Sequence, residues 1–121
     1  MQKKLLIVED SRSFRQQLMI VLEKDYDVLS AEDGREGLDT LQKNQDIAMI
    51  ITDVNMPVMN GLDMVDEIKK KALFNGPIMI LTTEGNRETI DRGRAMGVSC
   101  WLVKPFEPAC LLSAVRKLLG S

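Results

Sequence analysis

Residues 47–57 read Ile47-Ala48-Met49-Ile50-Ile51-Thr52-Asp53-Val54-Asn55-Met56-Pro57. The first five are apolar without alternation, and an acidic residue closes the run. A strand with one wet face alternates apolar and polar residues, whereas a strand covered on both faces reads as a continuous apolar run. Four further runs surround this one: Leu5–Val8, Val28–Ala31 with Tyr26 just ahead, Ile78–Leu81 and Cys100–Val103. The strands therefore start near residues 5, 26, 47, 78 and 98, and each gap holds one loop and one helix.

The intervening segments carry the helical period. Phe14, Leu18, Val21 and Leu22 stand at i, i+4, i+7 and i+8; Leu62, Val65 and Ile68 follow the same rule, as do Leu111, Leu112, Val115, Leu118 and Leu119. Residues 34–44 form a weaker helix with Leu38 and Leu41 inward. The poorest lies at 87–96, anchored mainly by Ile90, Ala95 and Met96, with Arg87–Asp91 and Glu88–Arg92 spaced to pair at i,i+4. So weak an anchor predicts mobility. The order is (βα)₅, an α/β chain with a parallel sheet and helices on both faces. No linker or repeat interrupts it, so one domain over 1–121 is expected.

Composition narrows the function classes. Apolar residues make up 45% of 121 residues, enough for one core. A net charge of −2 gives no reason to expect nucleic acid. No apolar run approaches the roughly 18 residues of a membrane span, and no signal-peptide pattern opens the chain, so a cytoplasmic protein without a membrane partner is expected. The chain has no histidine, which excludes a histidine metal site, a Ser-His-Asp triad and an internal phosphohistidine relay. Cys100 and Cys110 form no CxxC pair and are expected as small, reduced, buried residues.

In an open parallel sheet, ligands gather at the carboxyl ends of the strands. There the sequence sets Glu9-Asp10, then Asp53, then Thr82-Thr83, then Lys104-Pro105. Each has an ordinary explanation alone: a helix cap, a turn, strand propensity, an exposed lysine. Their joint occurrence at four strand ends does not. Crowded carboxylates raise one another's pKa or recruit a cation. An all-oxygen set without His or Cys suits a hard ion, Mg²⁺ more than Zn²⁺. Carboxylates attack phosphorus to give aspartyl phosphates, so Asp53 reads as both ligand and nucleophile. Lys104 and Thr82 would meet the phosphoryl oxygens.

The segments Leu5–Ser11, Asp53–Pro57 with Gly61, Leu81–Glu84 and Lys104–Phe106 together resemble the response-regulator receiver family across the whole chain. The resemblance implies a flavodoxin-like doubly wound sheet of strand order 2-1-3-4-5. It implies that Asp53 is the phosphoacceptor, that Asp10 binds Mg²⁺ directly and Glu9 mostly through water, and that Asn55 lends its backbone carbonyl. It also implies that Thr82 moves toward the phosphoryl group, that Lys104 pairs with a phosphoryl oxygen, and that the Lys104–Pro105 bond is cis. Trp101 aligns with the family's switch aromatic, usually Tyr or Phe, and its larger ring is expected to turn inward less readily. The resemblance also implies that Asn55 and Glu84 flank the site at the positions that tune dephosphorylation in the family. Met56-Pro57 is expected in a tight turn, and Gly61 in a backbone conformation that other residues resist.

The expected function is two-component phosphorelay signalling. A histidine kinase supplies the phosphoryl group, a downstream protein reads the 87–119 face, and the chain catalyses only its own phosphorylation and dephosphorylation. Met1 and the lack of a trailing linker favour a monomeric, stand-alone, chemotaxis-type regulator over a receiver domain excised from a larger response regulator or hybrid kinase. A haloacid-dehalogenase-type phosphatase would want an Asp where Asn55 stands. A flavin binder would meet repulsion at Glu9-Asp10.

Overall fold

The computed structural model describes residues 2–120. Five strands alternate with five helices: β1 Lys4–Val8, α1 Arg12–Leu22, β2 Asp27–Ala31, α2 Gly34–Lys43, β3 Ile47–Thr52, α3 Gly61–Lys70, β4 Ile78–Thr82, α4 Arg87–Ala95, β5 Cys100–Val103 and α5 Pro108–Leu119. The strands pair in parallel in the order β2-β1-β3-β4-β5, the order implied by the resemblance.

Strand side chains point alternately to the two faces, and the continuous apolar runs serve both. Leu5, Ile7, Met49, Ile51, Met79 and Leu81 face Leu18 and Leu22 of α1 and Leu111 and Val115 of α5. Leu6, Val8, Ile50 and Ile78 face Leu38 and Leu41 of α2 and Met64, Val65 and Ile68 of α3. A third cluster joins Val54, Leu62 and Ile80, with Met96, Val98 and Trp101 against it. The inner strands β1, β3 and β4 thus carry two packed layers.

Helix starts follow local chemistry. Ser11, Asp33, Asn60 and Asn86 cap α1 to α4 by accepting backbone N–H bonds from the first turn. Pro108 opens α5 at a position where a missing N–H is harmless. Because Ser11 caps α1, the acidic pair before it is left free for other work.

The weak helix is weaker than its sequence suggested. Gly93 is its one buried residue; Ala95, read as an anchor, is exposed. Arg87 pairs with Asp91 at 3.6 Å, but Arg92 turns from Glu88 to Asp63 on α3, 3.0 Å away. The cysteine expectation is corrected too: Cys100 is half-buried and Cys110 exposed. A four-residue edge strand covers the first incompletely, and Cys110 lies on the outer side of the first turn of α5.

Candidate functional site

Sheet register brings the sequence-predicted residues together. Val8 stands beside Thr52 and Thr82 beside Val103. The Asp53 N–H donates to the Val8 carbonyl at 3.0 Å, and the Lys104 N–H to the Thr82 carbonyl at 2.8 Å. Glu9 and Asp53 therefore leave the sheet at one level from the adjacent strands β1 and β3, and Lys104 leaves β5, one strand further on past β4. Glu9, Asp10 and Asp53 place a carboxylate oxygen each within 4.8 Å of one another. Glu9 and Asp53 are buried while Asp10 is open to solvent.

Lys104 holds the buried pair. Its Nζ donates to Glu9 Oε1 at 2.7 Å and to Asp53 Oδ2 at 2.9 Å. The Ser11 N–H donates to Glu9 Oε2 at 2.9 Å, and the Val54 N–H to Asp53 Oδ1 at 2.6 Å. Burial is the largest influence on Glu9 and raises its pKa; Lys104 and the Ser11 N–H oppose it, Asp53 adds to it, and the group stays above its ordinary value. For Asp53 burial again pushes upward, but the Lys104 hydrogen bond, the Thr82 hydroxyl, the Lys104 charge and the Val54 N–H together outweigh it, so the carboxyl lies below its ordinary value. Burial opposes the Lys104 charge, yet the bonds to Asp53 and Glu9 win, and its pKa is raised. The two carboxylates thus divide, Asp53 toward the anion and Glu9 toward the acid.

Thr82 is fully buried, and its Oγ1 accepts the Glu84 N–H at 3.2 Å. Trp101 is half-buried on the edge strand β5. Its indole N–H donates to the Glu84 carbonyl at 3.1 Å, and its six-membered ring lies over Gly93, where a Cβ would come within 2.9 Å. The loop after β4 is therefore tied to Thr82 at one point and to Trp101 at the other. Asn55 is exposed in the loop after β3.

Gly61 corrects its expectation. It has no left-handed backbone; what excludes other residues is space, because a Cβ there would fall on the Asp53 carbonyl oxygen. The left-handed residue in this loop is Val58, at φ 67°. The Met59 N–H donates to the Pro57 carbonyl at 2.7 Å, a three-residue γ-turn centred on Val58. The tight turn thus sits one residue beyond Met56-Pro57. The Lys104–Pro105 bond is cis, as the resemblance implied.

Sequence reasoning missed two residues here. Arg15 Nη1 donates to the Glu9 carbonyl at 2.8 Å, bracing the chain just before Asp10. The Phe14 ring lies under Lys104, with Nζ 3.9 Å from its centroid. Phe14 was legible only as one apolar position in a helical stripe, and nothing near it in the chain pointed to a lysine 90 residues on.

The chain belongs to the response regulator receiver domain family, which it matches over residues 5–116. Members of that family are regulators in two-component signalling and not enzymes in the ordinary sense. A Helicobacter pylori protein, chemotaxis protein CheY1, is 40% identical over 121 residues, spanning 98% of each chain. A chemotaxis protein CheY homolog of Campylobacter jejuni is 39% identical over 121 residues, 98% of this chain and 93% of the relative. Among solved structures, Vibrio cholerae chemotaxis protein CheY4 superposes with a TM-score of 0.90 at 41% identity, covering 98% of this chain and 99% of the other. The family match removes the phosphatase and flavin-binder readings.

Proposed function

We propose that the chain, one domain over 1–121, is a chemotaxis-type receiver that takes a phosphoryl group from a histidine kinase onto Asp53. The observation that carries this is the single ammonium of Lys104 held between Glu9 and Asp53, with Asp10 beside them. The donor set is all oxygen, and it fits a hard divalent ion such as Mg²⁺. Asp10 and Asp53 would hold the ion with the Asn55 carbonyl, Glu9 acting mostly through water. When bound, it neutralises charge on the phosphoryl oxygens.

The protein's own groups do the rest. One Asp53 carboxylate oxygen forms the new bond to phosphorus as the donor's bond to phosphorus breaks, and the leaving group departs with that electron pair. A depressed Asp53 pKa keeps the nucleophile ionised. Lys104 meets the charge on one phosphoryl oxygen, and the buried Thr82 hydroxyl meets another. Moving Thr82 toward the phosphoryl group gives up its bond from the Glu84 N–H, and Trp101 holds the neighbouring Glu84 carbonyl. The change thereby reaches α4 and β5, and a protein partner reads the 87–119 face. Glu84 and Asn55 flank the path of water and set the lifetime of the phosphoryl group. The domain acts as a monomer in the cytoplasm.

The test is intact mass after incubation with acetyl phosphate. A gain of about 80 Da, one phosphoryl group, is expected. It should require Mg²⁺ and should vanish in Asp53→Asn. No gain under any condition would overturn the phosphoacceptor reading.

A further inference from the structure

We infer that Phe14 is a positioning residue that holds the Lys104 ammonium at the strand ends while a divalent cation occupies the carboxylates. The inference rests on the phosphoacceptor reading above. Lys104 Nζ makes three close contacts: Glu9 Oε1 at 2.7 Å, Asp53 Oδ2 at 2.9 Å and the Phe14 ring face at 3.9 Å from its centroid. The first two partners are the carboxylates that a cation would claim. The third is the ring, which no metal ion would take. A lysine ammonium rides on a flexible four-carbon stem. With its carboxylates engaged elsewhere, Lys104 would drift toward solvent unless something else kept it.

The ring is built to do that. Phe14 lies in the first turn of α1, and its N–H is capped by the Ser11 hydroxyl at 3.3 Å, so the backbone that carries Asp10 also sets the ring. Phe106 braces the ring edge-to-face, with centroids 5.5 Å apart and planes at 87°. Phe106 follows Lys104 by two residues, so one loop supplies both the ammonium and the brace. The Lys104 side chain is only 14% exposed, and a cation over an aromatic face gains most where water is scarce.

The distinguishing consequence is a split. Removing the ring face should slow phosphoryl transfer without weakening the metal. The experiment compares wild type, Phe14→Leu and Phe14→Tyr. Phosphorylation by acetyl phosphate at saturating Mg²⁺ is timed by intact mass, and Mg²⁺ alone is titrated by Trp101 fluorescence. Leucine keeps an apolar side chain without the face. Tyrosine keeps the face, and Phe14 lines an open groove of about 330 Å³ with Ile20, Val21 and Pro105. Phe14→Leu is expected to be roughly 3- to 10-fold slower, with Mg²⁺ affinity within about twofold of wild type. Phe14→Tyr is expected to match wild type in both.

If Phe14→Leu reacts at the wild-type rate, the ring does not position Lys104. If leucine and tyrosine slow the reaction alike, or if leucine weakens Mg²⁺ in proportion, the role is general packing and the inference falls. If wild type itself takes no phosphoryl group, the phosphoacceptor reading fails and the inference goes with it.

Discussion

At Lys104 one ammonium meets two buried carboxylates. Removing one partner of a buried ion pair leaves an uncompensated charge, which is far costlier than the pair itself is stabilising. Lys104→Met is therefore expected to lose about 3 kcal/mol of stability without metal. It should also bind Mg²⁺ more tightly than wild type, because no ammonium competes for Glu9 and Asp53. Urea unfolding with and without Mg²⁺ measures both; a variant as stable as wild type without metal would refute the charge argument. Gly61 makes a second case, since a Cβ there meets the Asp53 carbonyl oxygen, which is backbone and has nowhere to go. Gly61→Ala should cost about 1–3 kcal/mol, the usual range for overpacking, and shift the Asp53 amide resonance. The sequence pointed to Gly61 but for the wrong reason: a glycine pattern does not distinguish a left-handed backbone from a close approach.

Among the helices, α4 stands apart, with one buried residue against five in α3. Its amides are expected to exchange with deuterium well before those of α3, and equal protection would contradict the weak anchoring. Gly93→Ala tests how α4 meets β5. Alanine favours a helix by about 1 kcal/mol over glycine, but its Cβ would come within 2.9 Å of the Trp101 ring. The expected result is little net change in stability and a shifted Trp101 emission, because the ring must yield; an unshifted spectrum would show that the two do not touch. Continuous apolar runs made the five strands legible and the helical period made the helices legible, because each reflects which faces are buried. The period was misleading for Ala95, whose apolar type says nothing about which side of a short helix meets the sheet. The pairing of Arg92 with Asp63 was hidden as well, because spacing along the chain reveals partners on the same helix and not on a neighbouring one.

Taken whole, the molecule brings residues from four strand ends to one place, so ligand binding and folding are linked. A Mg²⁺ concentration one hundred times its dissociation constant should add about 2.7 kcal/mol to the unfolding free energy. Asp10→Asn should remove most of that gain while leaving the metal-free protein unchanged, since Asp10 is the exposed member of the trio. Thermal unfolding across a Mg²⁺ series checks this, and an identical gain in both proteins would exclude Asp10 as a ligand. The acidic trio was readable because strand ends are readable. Phe14 was not, because its partner lies 90 residues on, and Arg15 was not, because its partner is a backbone carbonyl, which every residue carries and no side-chain pattern marks. Val58 closes the account of the β3–α3 loop: it is 83% exposed and sits at φ 67°, a conformation that disfavours a branched side chain by roughly 1–2 kcal/mol. Val58→Asn, a residue that tolerates this backbone better, is therefore expected to stiffen the loop that carries the chain from Asp53 to α3.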